Sequence, residues 1–458
     1  MKRKVAFILA AILLVSVFVG CGTNDPAPAA PAAPPAAGAA PAAPAAPAEP
    51  AGDDVVELVF WHMEEPPHRV ARFNSIIDQF NNEHPNIRVT PVVQSWGDAF
   101  TMFPAAIMAG TGPDLLLTTP DHATIIHALG AVQPVTEIVN RIHNTHTYID
   151  AATIPYRFTN DYYAIPIYGM IQVLWYRRDK FEAAGISPPT SWPEFLAAAE
   201  ALTTPGVHGI ALPASRSMAT DQVIYSLMAA GGAMHMVRGD GTINFNTPET
   251  VAAFQLYVDL LEFSPPDSTV FQWGEPHALF NAGLAAMAIE KGQYLLPWQD
   301  ESGLGPEYLG GVLIPTPTGT GTNYAIYYPN GILLLSDDPA KFEATSTFFY
   351  WLFQPEIYGS FVNAEPGLFL PVTETGSRSN AFLTDPIISQ FPEQTQLLLE
   401  ASSLGVLFGF TDGVNMDIGL ISGPNLLAAT LQQIVVGGMS VADAVAWGQA
   451  EMERAIAN

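Results

Sequence analysis

Apolar residues along this chain follow two spacings, one typical of strands and one typical of helices. Residues 55–61 (VVELVFW) form a β-rich run, residues 68–84 carry apolar positions at helical spacing, and residues 86–93 are again strand-like. A further helical stretch at 99–109 precedes a Gly/Pro breaker and a short apolar strand at 115–117. Strands that alternate with helices predict an α/β sheet with helices on both faces.

The second half of the chain is richer in helical patterns. Apolar residues recur at helical spacing in four stretches, at 191–202, 221–230, 248–262 and 339–353. Two strand-like runs, 309–314 and 325–335, flank a Thr/Gly/Pro segment at 315–323 that has the composition of a flexible connection.

The first residues have the pattern of a targeting signal. Lys2, Arg3 and Lys4 precede an apolar run at 5–19, which is shorter than the roughly 20 residues that span a bilayer. The following Phe18-Val19-Gly20-Cys21 resembles a bacterial lipoprotein processing box, so we predict a signal peptide at 1–20 and a lipid on Cys21. An uncleaved anchor helix with an incidental cysteine is the alternative, and both place the body outside the cytoplasmic membrane.

Between Cys21 and the body lies a tether. Residues 26–51 are almost wholly Ala and Pro, a composition that buries no core and favours extended, semi-rigid conformations. We therefore predict that residues 21–53 hold the body away from the lipid surface.

Length and charge limit the partners of this body. The roughly 400 residues after the tether are enough for two domains of typical size. Without residues 1–20 the chain carries 14 Lys and Arg against 44 Asp and Glu, a formal charge of −30. Such a body repels nucleic acid and anionic lipid, so we expect no nucleic-acid partner. The low Lys and Arg content also suggests adaptation to acid as a weak hypothesis.

Ten short segments follow one another along the body in a characteristic order. Those in the first part are FWH at 60–62, FNNEHPNI at 80–87, AGTGPD at 109–114 and LGAV at 129–132. Those further on are YAIP at 163–166, LWYRRDKF at 174–181, AGI at 184–186, PPTSWPEF at 188–195, FNAGLAAM at 280–287 and GMSVADA at 438–444. In content and order these segments resemble the extracellular solute-binding proteins of ABC importers, specifically family 1, the carbohydrate and maltose-binding type. Arg177 and Tyr294 depart from the family pattern, where Asn and Trp are usual.

This resemblance implies an α/β fold of the two-lobed periplasmic-binding-protein type (type II), with discontinuous lobes joined by a hinge and a ligand cleft between them. We expect the chain to cross between lobes near 165–169, 318–328 and 367–372. The first lobe would comprise 54–166 and 319–368, and the second lobe 167–318 and 369–458.

Candidate ligand-binding residues follow from the topology. Ligands of open α/β sheets bind beyond the carboxyl ends of the strands. Residues in that position in the first lobe are Trp61, Glu64, Glu65, Trp96 and Asp121. From the second lobe and the later connection we select Tyr168, Tyr294, Trp298, Tyr327, Tyr328 and Asn330. Strand alternation should place only one of Tyr327 and Tyr328 toward the cleft.

Marks of other chemistries are weak. The sequence contains no G-x-S-x-G, H-E-x-x-H, G-x-x-x-x-G-K-[ST] or G-x-G-x-x-G motif. The adjacent carboxylates Glu64 and Glu65 are a poor match to the opposed pair of a glycosidase. His143 and His146 lack nearby cysteine or a carboxylate pattern, so a solvated helix face is favoured over a metal site. We predict no metal, no cofactor and no catalysis.

Together these features predict a monomeric, lipid-anchored extracytoplasmic receptor that captures a carbohydrate and delivers it to the membrane permease of an ABC importer. Flat aromatics beside acid and amide groups suit the C–H faces and hydroxyls of a sugar. Another small solute, such as a polyol, a glycerophosphodiester or a peptide, is the first alternative, and a secreted carbohydrate-active enzyme is the second. Basic residues lining the cleft would favour a phosphorylated ligand, and the mid-chain candidates are Arg216, Arg238 and Lys291.

Overall fold

A computed structural model describes residues 55–96 and 99–457. The predicted signal peptide, lipidation site and tether lie outside these residues. The strands are β1 (Val56–His62), β2 (Ile87–Val93), β3 (Leu115–Thr118), β4 (Arg157–Phe158), β5 (Asp161–Tyr162), β6 (Ile165–Ile171), β7 (Val173–Arg177), β8 (Met287–Glu290), β9 (Leu309–Val312), β10 (Ala325–Leu334) and β11 (Gly405–Val406).

Helices connect these strands and cover them. Those before β8 are α1 (Pro67–Glu83), α2 (Met102–Met108), α3 (Pro120–Ala128), α4 (Thr136–His146), α5 (Asp150–Thr153), α6 (Arg178–Ala184), α7 (Trp192–Leu202), α8 (Met218–Ala230), α9 (Pro248–Leu261) and α10 (Gly274–Asn281). Those after it are α11 (Trp298–Ser302), α12 (Pro339–Leu352), α13 (Pro355–Val362), α14 (Glu374–Ser377), α15 (Asn380–Leu383), α16 (Pro392–Ser403), α17 (Gly419–Ser422), α18 (Leu426–Val435) and α19 (Val441–Ala457). Within the described ranges, none of the helices is both long and apolar enough to cross a bilayer.

Two sheets organise the body. The larger has the order β11-β10-β3-β1-β2, and β6 also pairs with β10. In it β1 runs parallel to β2 and β3, whereas β10 runs antiparallel to β3 and β6. The smaller sheet is antiparallel, with the order β8-β7-β9. These sheets are the centres of the first and second lobes.

Helix α1 shows how the pattern produces the packing. Pro67 occupies its first turn, where a missing N–H is tolerated. The helical spacing then buries Phe73, Ile76, Ile77 and Phe80 along one face. The Phe80 ring meets those of Phe348 and Trp351 on α12 edge-on. Because α12 also packs on β1, this aromatic group fixes both helices to the larger sheet.

The start of helix α7 in the second lobe can be predicted from the sequence. The Ser191 hydroxyl accepts a hydrogen bond from the Glu194 backbone, and the Glu194 side chain accepts one from the Ser191 backbone, which together form a capping box. Helix α7 accordingly occupies Trp192–Leu202, and the predicted helix is confirmed. Helix α8 begins three residues earlier than predicted, and its residues from Ala219 onward are buried.

The chain passes from one sheet to the other at two places. Only Gln172 separates β6 in the larger sheet from β7 in the smaller one, and the second passage joins β9 to β10. The expected crossing at 367–372 lies beside β6, where Leu370 pairs with Gly169, and the strand that follows it, β11, belongs to the larger sheet. The first passage therefore comes after the expected boundary at 166/167, which falls inside β6.

The C-terminal helices pack against both lobes. Helices α18 and α19 contact α8 and α9 of the second lobe, whereas α14 and α15 contact α13 and α4 of the first lobe. The packing thus divides residues 369–458, which the sequence analysis assigns as a whole to the second lobe. The finer lobe boundaries stay predictions.

Candidate ligand-binding cleft

A cavity of about 440 Å³ lies between the two sheets. Four of its lining residues, Glu64, Arg69, Trp96 and Thr119, come from the first lobe beyond β1, β2 and β3. Since these three strands are parallel, their carboxyl ends share one edge of the sheet. The topology therefore delivers these side chains to one place.

The facing wall comes from the second lobe. It includes Gln222 on α8, Trp273 and His277 at α10, and Lys291 and Gln293 just beyond β8. The crossing segments complete the cavity with Met170, Leu368 and Phe369. A solute in this cavity would touch both lobes and the passages between them.

A buried ionic network forms one end of the cleft. Glu64 is only 3% exposed, and its Oε1 accepts a hydrogen bond from the Tyr168 hydroxyl at 2.6 Å. Its Oε2 accepts from Arg69 Nη1 at 3.0 Å, while Arg69 Nε donates to Glu365 Oε2 at 2.6 Å. His68 Nε2 contacts the same oxygen of Glu365. Burial raises the pKa of Glu64, and the positive charge of Arg69 opposes that rise.

The structure places the predicted first-lobe residues differently. Glu64 and Trp96 line the cavity, whereas Glu65 is exposed outside it and Trp61 packs against Phe103 with ring centroids 5.5 Å apart. Asp121 is buried, and its Oδ1 accepts a hydrogen bond from Thr119 Oγ1 at 2.6 Å. Thr119 therefore stands on the wall with Asp121 behind it.

Three predicted aromatic residues lie one layer behind the wall. Tyr168 orients Glu64, as described above. Tyr294 is fully buried and stacks on His277, which does line the cavity, with centroids 4.7 Å apart. Trp298 is also fully buried, and its Nε1 donates to the Gly305 carbonyl at 2.9 Å. The structure thus places Tyr294 and Trp298 in packing, and their direct contact with a ligand stays a prediction.

Strand β10 separates the cleft from a second cavity. Tyr328 and Asn330, two residues apart, line the cleft, whereas Tyr327 lines a cavity of about 680 Å³ on the other face of the strand. Among the residues that line the larger cavity, Arg157 is the one charged side chain, and Ile154 and Phe410 are typical of the rest. Volume alone would favour the larger cavity as the ligand site. The smaller cavity, however, collects acid, amide, cationic and aromatic groups from both lobes, so we assign the candidate ligand site to the smaller cavity.

Two amide oxygens on the cleft wall lack a partner. Within the described part of the chain, Asn330 Oδ1 and Gln293 Oε1 are buried and accept no hydrogen bond. A buried acceptor without a donor is destabilising by about 1–3 kcal/mol, so a ligand that donates to these oxygens recovers that energy. Asn330 belongs to the first lobe and Gln293 to the second, which places unpaired acceptors on both sides of the cavity.

Lys291 lies on the same wall and is only 6% exposed. Its Nζ donates to Gln222 Oε1 at 2.5 Å and stands 5.6 Å from the centre of the Trp273 ring. Gln222 is in turn hydrogen-bonded to the Tyr328 hydroxyl across the cleft. Burial lowers the pKa of Lys291, and the neighbouring Glu290 carboxylate opposes that change.

The sequence analysis did not select several wall residues: Arg69, Gln222, Trp273, His277, Gln293 and Phe369. Gln293 precedes the predicted Tyr294, and only the short turn at 292–294 decides which of the two faces the cavity. Trp273 lies in a loop before α10 and is 38% exposed, so no helical or strand periodicity in the sequence singles it out.

The described ranges contain no group of three His, Cys, Asp or Glu side chains that could hold a metal ion.

Known proteins resemble this chain over most of its length. The candidate ABC transporter periplasmic-binding protein YcjN of Escherichia coli (strain K12) is 25% identical over 411 residues, which cover 88% of this chain and 93% of YcjN. An uncharacterized lipoprotein from the oleD 5' region of Streptomyces antibioticus is 26% identical over 374 residues, covering 78% of this chain and 73% of that protein.

Solved structures share the fold. The cyclic alpha-maltosyl-1,6-maltose binding protein of Arthrobacter globiformis superposes with a TM-score of 0.74 at 19% identity, covering 88% of this chain and 99% of that one. A solute-binding protein of Agrobacterium radiobacter K84 in complex with ribitol gives 0.72 at 21% identity, with the same coverage. These likenesses confirm the predicted two-lobed α/β fold of type II.

Residues 67–356 match the family model described as bacterial extracellular solute-binding protein. This segment contains both sheets except β1 and β11, together with most of the cleft wall. The resemblance noted in the sequence is therefore confirmed. The chain belongs to the bacterial extracellular solute-binding protein family.

Proposed function

We propose that this protein is the solute-binding component of an ABC importer and that it captures a carbohydrate in the cleft between its lobes. The observation that carries this proposal is the pair of unpaired amide oxygens, Asn330 Oδ1 and Gln293 Oε1, on opposite walls of an aromatic-lined cavity. Sugar hydroxyls are hydrogen-bond donors, so one sugar can serve both oxygens at once.

The aromatic side chains suit the rest of a sugar. Trp96 of the first lobe and Trp273 of the second both line the cavity, and Phe369 lies at the crossing. Flat rings cover the C–H faces of a saccharide with little loss of side-chain entropy. Proteins of similar structure support the same class, because one binds a cyclic maltosyl-maltose and another was solved with ribitol.

Transport would follow from closure of the lobes. A ligand that bonds to Asn330 and Gln293 together reaches both only when the lobes are close, so it favours the closed state by its differential affinity for that state. The closed form is then the state that the permease recognises. A decrease in the radius of gyration on addition of ligand, measured by small-angle scattering, would support this mechanism, and an unchanged radius would contradict it.

The setting of the receptor is part of the proposal. Cys21 would carry a lipid and residues 21–53 would tether the body outside the membrane. The related lipoprotein of Streptomyces antibioticus supports this arrangement. We further propose that the protein acts as a monomer and as a binder, without catalysis. Metabolic labelling with a fatty-acid analogue in the native protein and in Cys21→Ser tests the anchor directly.

A thermal-shift screen of the full chain against mono-, di- and oligosaccharides, polyols, glycerol phosphates and peptides tests the substrate class. At about 100 times its dissociation constant, a ligand stabilises by about 2.7 kcal/mol, which raises the melting temperature by a few degrees. A selective response to saccharides without product formation over hours supports the proposal. A response confined to peptides would overturn the carbohydrate assignment, and accumulation of product would overturn the binding role.

A further inference from the structure

Cationic side chains are scarce in this protein, which makes their positions informative. After residue 20 the sequence has only 14 Lys and Arg. Two of them, Arg69 and Lys291, line the cleft. The other mid-chain candidates, Arg216 and Arg238, do not line the cleft. Arg216 donates a hydrogen bond to the Pro424 carbonyl, and Arg238 stands 3.9 Å from Asp412.

The two cations have different surroundings. The Arg69 guanidinium bonds to two carboxylates, Glu64 at 3.0 Å and Glu365 at 2.6 Å, so its charge is already more than balanced. Lys291 has a looser partner. Across residues 55–96 and 99–457, the only carboxylate within 4.0 Å of its Nζ is that of Glu290, at 3.6 Å.

That partner is also engaged elsewhere. Glu290 Oε1, the oxygen nearest to Lys291 Nζ, accepts the Lys291 backbone N–H at 2.9 Å. The Lys291 ammonium thus makes one short hydrogen bond, to Gln222, and a longer contact with Glu290, which leaves one of its three donors on a wall that faces the cavity. A buried ammonium with incomplete pairing is destabilising unless another negative group completes it.

We propose that the solute is an acidic saccharide whose carboxylate is bound by Lys291; this assignment rests on the carbohydrate function proposed above. The Trp273 ring beside the ammonium covers the apolar face of the sugar, and the amide oxygens of Asn330 and Gln293 accept its hydroxyls. Lys291 is the specificity-determining residue that separates uronic acids from neutral sugars.

Charge balance favours a carboxylate over a phosphate monoester. A phosphate carries about −1.5 to −2 at pH 7, whereas a carboxylate carries −1. Lys291 supplies one positive charge, which it already shares with Glu290 at 3.6 Å, and Arg69 is held by Glu64 and Glu365. A second negative charge on the ligand would stand among buried carboxylates with no cation to meet it.

Titration calorimetry of the full chain tests this assignment without any mutation. The probes are glucuronate, galacturonate and mannuronate with their short oligomers, the methyl ester of each, the matching neutral sugars and the sugar phosphates. The methyl ester keeps the ring and hydroxyls but removes the charge. A charge-assisted hydrogen bond predicts that the preferred uronate binds about 10- to 100-fold more tightly than its ester.

Two variants assign the effect to one side chain. Lys291→Met should bring the affinity for the uronate to that for the ester, and Lys291→Arg should keep most of the preference. Lys180→Met, which removes a cation on α6 away from the cavity, controls for the change in overall charge and should leave the preference unchanged. If Lys291→Met does not fold, the comparison of acid with ester in the native protein still decides the matter.

The outcomes separate the two proposals. Neutral sugars or esters that bind as tightly as uronates would overturn the acidic-saccharide assignment and leave the carbohydrate function standing. Tighter binding of sugar phosphates would overturn the carboxylate assignment. Failure of every saccharide in the panel to bind would overturn the acidic-saccharide assignment, and the wider thermal-shift screen would then decide the carbohydrate function.

Discussion

The two faces of β10 carry two cavities that differ in size and in chemistry. The larger, of about 680 Å³, has Arg157 as the one charged side chain among its lining residues, while the smaller, of about 440 Å³, gathers acid, amide, cationic and aromatic groups. Neighbouring tyrosines, Tyr327 and Tyr328, mark the two faces. The comparison teaches that convergence of polar groups from separate elements identifies a binding site better than empty volume does.

The largest expected effect is on stability and compares two glycines, one at a closely packed crossing and one on the open cleft wall. A Cβ added at Gly169 would stand 1.8 Å from the Tyr327 hydroxyl oxygen, whereas one added at Gly274 on the cleft wall would meet nothing within 4 Å. Gly169→Ala should therefore lower the free energy of unfolding by about 3 kcal/mol, and Gly274→Ala should change it by less than about 0.5 kcal/mol. Urea denaturation measures both, and equal stabilities of the two variants would contradict the packing described here.

The next effect concerns ligand affinity. Trp273→Ala removes an aromatic group that lines the cleft, so we expect affinity for the cognate saccharide to fall about 30-fold, equivalent to about 2 kcal/mol. Ile154→Ala trims a half-exposed side chain that lines the larger cavity and serves as the control. Calorimetry with the ligand from the thermal-shift screen measures both. A loss of affinity in Ile154→Ala alone would move the binding site to the other face of β10.

A third test uses pH and the adjacent residues Glu64 and Glu65. Because burial raises the pKa of Glu64, the folded state binds the Glu64 proton more tightly than the unfolded state does. Stability should then decrease as pH rises from the unfolded pKa of Glu64 through its folded pKa, with a slope of at most about 1.4 kcal/mol per pH unit.

Glu64→Gln should remove this contribution, while the same change at exposed Glu65 should leave it intact. Unfolding free energies measured from pH 4 to pH 7 in the native protein and both variants decide the point. A slope that persists in Glu64→Gln would show that another group is responsible.

The smallest effect compares the two tyrosine hydroxyls. Within the described residues the Tyr327 hydroxyl is buried without a partner, whereas that of Tyr328 is hydrogen-bonded to Gln222. Tyr328→Phe should lower the unfolding free energy by about 1 kcal/mol, and Tyr327→Phe should be neutral or slightly stabilising. Thermal denaturation of the pair checks the expectation, and the reverse order would contradict the hydrogen-bond assignment.

Much of the fold was legible in the sequence because local signals agreed with the packing. The capping box at Ser191 and Glu194 fixed the start of α7, and alternation along β10 correctly separated the faces of Tyr327 and Tyr328. The rule that ligands lie beyond the carboxyl ends of parallel strands selected Glu64 and Trp96, which line the cavity, but also Trp61 and Glu65, which do not. Contact of Glu64 and Trp96 with a ligand stays a prediction.

The rest of the cleft wall was beyond local signals. Aromatic residues serve equally well in cores and in sugar sites, so residue type alone could not distinguish buried Trp298 from half-exposed Trp273. Lys291 reaches the wall only because β8 ends opposite α8, a contact between elements about seventy residues apart. Such distant pairings depend on tertiary packing, which no sequence window contains.

The one-residue passage at Gln172 has a consequence for how this chain can vary in length. Its backbone N–H donates to the Ile326 carbonyl at 3.4 Å, its side chain accepts from Ser226 Oγ at 2.8 Å, and Ser226 in turn accepts from the Ile326 backbone at 3.1 Å. Two passages are thereby joined to α8 at a single point. A residue inserted at Gln172 would move every side chain of β7 to the opposite face of its sheet. The exposed turn at 317–322 can lengthen without such a change in register. Engineered insertions, such as a reporter domain, therefore belong in that turn.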